Sequence, residues 1–278
     1  MTGDMAQPSV RPKRSGLGLR LLSAMVLLPV CVAAVWAGSW WFALLLAGIG
    51  GAMCWEWAGI CSPGQKAASS VMLAAGIAAP LLLVPFGFPA VVAVAITGFI
   101  LLLAIAALRR RPNGLVLAAG LPYVVLGLAS AGWLRNDAGG GAAAVLWVVA
   151  SIVATDVGAF FAGRALKGPK LAPHISPNKT WSGLFGGMAC AAAAGALTGV
   201  LAGAPSLPLA AASLVLAVIA QGGDLIESKL KRAFHVKDAG RLIPGHGGFL
   251  DRFDGYLTAL PAAALMSAFA GGSPLTWQ

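Results

Sequence analysis

The stretch "FPAVVAVAITGFILLLAIAALRRRPNG", Phe88 to Gly114, decides what kind of protein this is. A run with no charged side chain, as long as the roughly 20 residues a helix needs to cross a bilayer, ends in Arg109, Arg110 and Arg111 and a Pro-Asn-Gly turn. Working outward, comparable apolar runs recur near residues 19–38, 40–61, 69–86, 115–133, 142–163, 181–203, 207–226 and 257–272. With 89–108 they make nine. The composition agrees: 59% of the 278 residues are hydrophobic, mean hydropathy is +0.85, and 10% are charged, against about 25% in a soluble domain. The sequence therefore predicts an all-α polytopic integral membrane protein of about nine transmembrane helices.

The charges test that count. With a cytoplasmic N-terminus, the inside segments are the basic tail of residues 1–17, then 62–68, 109–114, 164–180 and 227–256. Together with Arg20 they hold 18 of the 19 Lys and Arg residues, leaving Arg135 outside. Removing or adding one span in the middle destroys this partition, which is the asymmetry of the positive-inside rule. The C-terminus is then expected on the opposite side. The apolar stretch from Leu17 to about Trp41 is too long for a signal-peptide core and lacks a small-x-small cleavage site. The net charge of +10 does not indicate nucleic acid, because the basic residues punctuate apolar runs instead of forming a stripe. Cys31, Cys54, Cys61 and Cys190 show neither metal-ligand nor disulfide spacing. No internal repeat is evident, and neither GxxxxGK[ST] nor GxGxxG occurs.

Acidic residues are placed differently. Asp156, Asp224, Glu227, Asp238, Asp251 and Asp254 lie in the second half of the chain, whereas the first half has Asp4, Glu56 and Asp137. Residues 18–135 thus read as transmembrane scaffold, and 136–278 as the catalytic region with its loops at 164–180 and 227–256. In "QGGDLIESKLKRAF", Asp224, Ser228 and Lys231 recur at i, i+4 and i+7, one face of a helix. A carboxylate there is costly unless it meets a cation, a metal or water. Further on, "PGHGG" surrounds His246 with glycines, which suits close approach of backbone N–H groups to an anion, and "DRFD" sets Asp251 and Asp254 three apart. Asp224 and Asp251 lie on consecutive helices and are expected to face one another across a cavity. A few carboxylates among many cations suit Mg²⁺ with a phosphate-rich substrate, whose oxygens complete the metal's shell. A third segment, "DVGAFFAGRALKGPKLAPHISPNKTWSG", contributes Asp156 and Arg164 at the end of the sixth span, and the phosphate-friendly donors Asn178, Lys179 and Thr180.

These blocks resemble the phosphatidate cytidylyltransferase (CDP-diacylglycerol synthase) family. "SKLKRAFHVKDAGRLIPGHGGFLDRFD", Ser228 to Asp254, is similar to its signature: S-x-x-K-R, four residues, K-D, a Gly/Pro turn, H-G-G, then D-R-x-D. "GDLIES", "DVGAFFAGR", "LAPHISPNKT" and "RLLSA" at Arg20 resemble other family blocks. Two positions depart: Ser182 stands where an acid is expected, and Gly255 where serine is usual. The resemblance implies transfer of the cytidylyl group of CTP to phosphatidate, giving CDP-diacylglycerol and pyrophosphate, by a bacterial inner-membrane enzyme whose site faces the cytoplasm. It implies Asp224 and Asp251 as ligands of Mg²⁺, with room for a second metal. Ser228, Lys231, Arg232, Lys237 and Arg252 would surround phosphates, Asp254 and Asp238 would orient the cations, and His246 would either donate to pyrophosphate or simply belong to its tight loop. Its partners would be CTP and phosphatidate in the bilayer, with a homodimer compatible and no nucleic acid.

Three alternatives remain open at this point. A relative acting with CTP on a polyprenol or another lipid phosphate shares the nucleotide blocks. A CDP-alcohol phosphotransferase needs a DGxxAR run, which "DGYLTA" lacks. A secondary transporter predicts acids near mid-membrane and interrupted helices in both halves.

Overall fold

The computed structural model describes residues 17–243 and 247–277, and side chains from residue 25 onward apart from residue 26. Within them lie nine α-helices: α1 (Leu17–Ala37), α2 (Ser39–Cys61), α3 (Lys66–Phe86), α4 (Phe88–Leu108), α5 (Gly114–Arg135), α6 (Gly141–Leu166), α7 (Trp181–Ala202), α8 (Ser206–Ala233) and α9 (Leu250–Phe269). Each apolar run of the sequence coincides with one of them. The protein is an integral membrane protein built from helices, since only a helix satisfies every backbone group within a single lipid-crossing segment.

Seven helices, α2 to α8, are long and apolar enough to cross a membrane, by length and composition. In α1, the apolar stretch whose side chains are described is Leu27–Ala37. The ninth helix stands apart because Asp251, Arg252 and Asp254 occupy its first turns. Two connections are a single residue long. Gly38 alone separates α1 from α2 and Gly87 alone separates α3 from α4, with φ of 63° and 71°. A chain reversal in one residue requires that left-handed backbone, which glycine adopts without a Cβ clash.

Packing follows the small residues, as expected where helices meet without a hydrophobic driving force. A Cβ on Gly50 or Gly76 would strike the other's carbonyl, fixing α2 against α3. Gly158, Gly183, Gly186 and Gly187 do the same between α6 and α7. The last helix packs chiefly against α8 and α5. It approaches α8 so closely that a Cβ on Gly223 would stand 2.8 Å from the Asp254 carbonyl oxygen.

A buried hydroxyl ladder ties α6 to α8. Trp147 Nε1 donates to Ser213 Oγ at 2.8 Å, Ser213 and Ser151 share a hydrogen bond of 2.9 Å, and Ser151 and Thr155 donate back to their own helix.

Successive connections alternate between two ends of the bundle. At one end Arg135 donates to the carbonyls of Val35 and Trp36, and Leu275 packs by Gly140. At the other, Leu250 meets Glu56 and Lys179 meets Asp224.

The all-α reading holds for the body of the protein, with one detail added: the polar loop after α6 forms an antiparallel hairpin of β1 (Lys170–Ala172) and β2 (Ser176–Thr180), with Lys170 opposite Thr180 and Ala172 opposite Ser176. Its short, mostly polar strands carry no helical apolar period, and their backbone groups pair across the hairpin instead. The loops are also shorter than 164–180 and 227–256. Residues 164–166 continue α6, α8 runs on to Ala233, and α9 starts at Leu250. The side-chain contacts described next stabilise those extra turns. The tail of residues 1–16 and His246 lie outside the described residues.

Candidate active site

The apolar run of α8 is interrupted by Gln221 and Asp224, three apart and so on one face. The hairpin delivers a cation to that face. Lys179, the penultimate residue of β2, places Nζ 2.5 Å from Asp224 Oδ2 and 2.8 Å from Gln221 Oε1. Asp224 also accepts from Ser228 Oγ at 3.2 Å, as the i, i+4 spacing anticipates.

The next residue, Thr180, ends the hairpin and begins a helix. It is the N-cap of α7, with Oγ1 accepting from Gly183 N at 3.1 Å. Ser182, where an acid was expected, donates to the Lys167 carbonyl and exchanges a hydrogen bond with Thr180. A carboxylate could not donate to that carbonyl. Here position 182 closes the base of the hairpin.

These contacts enclose a cavity of about 200 Å³ lined by Asp156, Asn178, Lys179, Thr180, Gln221 and Asp224 together with Ala159, Phe160, Gly183 and Leu184. Three segments distant in sequence thus bring two carboxylates, an ammonium and two amides to one water-accessible hollow. Arg164 is exposed, two turns after Asp156, with its guanidinium 6.0 Å from the Phe160 ring centroid.

A second charged cluster lies farther along α8. Lys231 Nζ is 2.7 Å from Asp251 Oδ1 and 3.4 Å from Glu227 Oε1, and these side chains are only 14%, 10% and 0% exposed. The other oxygen of Asp251 accepts the backbone N–H groups of Ala239 at 2.9 Å and Gly248 at 3.1 Å. Asp251 is therefore not among the residues lining the Asp224 cavity. It pairs with Lys231, about 10 Å along the axis from Asp224 at 1.5 Å per residue. Asp254 sits between the clusters: its backbone abuts Gly223, Gly255 N donates to its Oδ1 at 2.7 Å, and Tyr123 donates to its carbonyl at 3.4 Å. Lys229, Arg232, Lys237, Asp238 and Arg252 are exposed around this end of the bundle.

The donor set fits a divalent cation completed by substrate. Among the described residues no three His, Cys, Asp or Glu side chains converge as a ready-made cage. However, Asp224 is one-third exposed at a cavity it shares with Asp156, and Mg²⁺ characteristically takes one or two carboxylates plus phosphate oxygens. Asp251 Oδ1 is held by the Lys231 side chain, whereas Oδ2 is held by backbone.

Some contributors escaped the sequence reading. Gln221 was legible as a polar break in an apolar run. Glu227, counted from sequence among the acids of this region, is buried beside Lys231 as their i, i+4 spacing allows. Glu56, from α2, was not read as part of the site and accepts the Leu250 N–H at 2.9 Å. An acid inside an apolar span is itself a functional signal, which at Glu56 the scaffold reading passed over.

Comparisons with known proteins bear on the family of the chain. Residues 18–270 match the model of a family described as "Cytidylyltransferase family". The chain is 40% identical over 263 residues to the phosphatidate cytidylyltransferase of Brucella suis biovar 1 (strain 1330), covering 92% of this chain and 93% of that one. It is 42% identical over 130 residues to the enzyme of the same name from Bacillus subtilis (strain 168), covering 46% and 48%. With that of Mycobacterium leprae (strain TN) it shares 42% over 127 residues, covering 45% and 41%.

Proposed function

The chain belongs to the cytidylyltransferase family, and on that premise we propose that it transfers the cytidylyl group of CTP to phosphatidate, releasing pyrophosphate. The observation that carries the site assignment is the convergence of Asp156, Lys179 and Asp224 on one cavity at the end of the bundle bearing the basic connections. A phosphate oxygen of phosphatidate attacks the α-phosphorus of CTP. The bond from that phosphorus to the bridging oxygen breaks, and pyrophosphate leaves with the electron pair. Both reactants are polyanions, so the protein's task is to hold them in line and neutralise charge. No covalent intermediate with the protein is needed.

Asp224 and Asp251 would hold Mg²⁺, Asp251 once phosphate draws Lys231 away; Asp156, which lines the Asp224 cavity, and Asp254 would be available to a second ion. When bound, the metal supplies charge neutralisation for the attacking and leaving oxygens. Lys179, with Asn178 and Thr180, borders the cavity; Lys231, Arg232, Lys237 and Arg252 would meet phosphates, and Ser228 and Asp238 would orient them. Arg164 would hold the lipid phosphate at the membrane edge, and His246 would donate to pyrophosphate. The alternating connections and the 18-to-1 partition of Lys and Arg support nine crossings, a cytoplasmic N-terminus and site, and an outward C-terminus in a bacterial inner membrane. In this reading residues 136–278 carry the chemistry and 18–135 mostly scaffold, and the exposed apolar helix faces leave room for a homodimer.

A substrate panel tests the reaction. Purified protein with CTP and Mg²⁺ should release pyrophosphate with phosphatidate at least roughly tenfold faster than with a polyprenol or another lipid phosphate, about 1.4 kcal/mol of discrimination. Preference for a polyprenol would replace the proposed acceptor.

A further inference from the structure

We infer that Glu56, a buried carboxylate on α2, is a positioning residue that holds the connection between α8 and α9 in its phosphate-binding shape. This inference rests on the reading that the connection carries cations to the substrate phosphates.

The last helix begins without a cap of its own. Its N-cap, Phe249, has helical backbone and no side-chain oxygen. An uncapped helix start leaves N–H groups unsatisfied and a partial positive charge at the terminus. Glu56 supplies the missing acceptor from 194 residues away: its Oε2 accepts Leu250 N–H at 2.9 Å. The carboxylate then wedges between the two passes of the connection. A Cβ on Gly248 would stand 2.7 and 2.8 Å from its oxygens, and a Cβ on Gly240 would overlap its carboxyl group. Glycine is required at both positions because the acid fills the space.

Asp251 completes the clamp. It accepts from the N–H of Ala239, beside Gly240, and from the N–H of Gly248 itself. One acid from the first half of the chain and one from the second therefore grip the same two backbone passes, further cross-linked by the Ile243 and Gly247 ladder at 2.9 and 3.2 Å. On the outside of the clamped segment Lys237 and Arg241 are exposed. Glu56 is 4% exposed, and among the described residues its Oε1 has no hydrogen-bond partner. A buried acid with an unanswered oxygen is costly, and packing alone would be served better by an apolar side chain. Its retention here is accounted for by the loop geometry it imposes.

The test combines proteolysis with kinetics on the full-length protein in detergent. In Glu56→Ala and Glu56→Gln, trypsin should cut after Arg241 several-fold faster than in wild type. KM for CTP should rise roughly tenfold in Glu56→Ala and less in Glu56→Gln, while KM for phosphatidate stays within about twofold. Should Glu56→Ala not fold, Gly248→Ala drives a methyl into the same carboxylate and should reproduce both effects. Folded variants with wild-type cleavage would overturn the clamp. Faster cleavage with unchanged KM for CTP would overturn the loop's assignment to the nucleotide, leaving the cytidylyltransferase reaction itself untouched. Equal loss toward both substrates would show a general structural role and overturn the proposal as well.

Discussion

Lys231 and Lys229 make a paired test of whether the basic residues of α8 work at the site or merely at the membrane surface. They sit two residues apart on one helix and carry the same charge, yet Lys229 is exposed while Lys231 is held between Asp251 at 2.7 Å and Glu227 at 3.4 Å. Removing Lys231 strands two carboxylates, one with a fully buried side chain. Breaking a buried pair in this way costs about 3–5 kcal/mol, and the 14% exposure of Lys231 favours the lower end, about 3 kcal/mol. Its proposed transfer from Asp251 to phosphate predicts a loss in kcat/KM of roughly tenfold to a thousandfold, or about 1.4–4 kcal/mol of transition-state stabilisation. Lys231→Met, which keeps the stem's packing, should therefore melt earlier in detergent and lose activity. Lys229→Met should change kcat/KM by less than about twofold. Steady-state kinetics at saturating phosphatidate, with circular dichroism melts on the same preparations, reads both. Equal loss in the two variants would refute the helical-face argument and assign these lysines to the surface potential of the membrane.

Other perturbations separate chemistry from scaffold. Asp224→Asn keeps the shape but removes the charge facing Lys179, and should lower kcat on the order of a hundredfold, about 2.7 kcal/mol, with the Mg²⁺ dependence weakened; a Mg²⁺ titration of turnover checks it. Ser213→Ala removes the acceptor of Trp147 Nε1 at 2.8 Å and should cost about 1–2 kcal/mol of stability with kcat unchanged, read by thermal melting beside an activity assay. Single cysteines at Asn113 or Lys170 should react with an impermeant thiol reagent only from the cytoplasm, and those at Gly140 or Thr276 only from the opposite face. Cytoplasmic labelling at 276 would mean the span count is off by one.

The helices were legible because crossing a membrane forces a continuous apolar run, and every run became a helix. The face of α8 was legible too, since Asp224 and Ser228 bond to each other as their spacing anticipates. What joins across the chain was not. Nothing local in "SPNKT" says that Lys179 will reach Asp224, because that pairing joins a hairpin to a helix more than 40 residues on. Asp251 was expected opposite Asp224, but Lys231 and two backbone amides hold it farther along the axis. Glu56 lies in the half read as scaffold, and its partners at Gly240, Gly248 and Leu250 become neighbours only after the bundle closes. Position 182 shows the converse: the acid expected there is absent, and the serine makes a donor bond that an acid could not.

The fate of each CTP phosphate tests the central claim most directly. Purified protein is given phosphatidate and Mg²⁺ with CTP labelled either at the α- or at the γ-phosphate, and the products are partitioned between chloroform and water. Label from the α-phosphate should enter the chloroform phase in step with pyrophosphate release, while γ-label stays in water. Lipid labelled from the γ-phosphate, or no lipid labelled from either, would contradict cytidylyl transfer at this site.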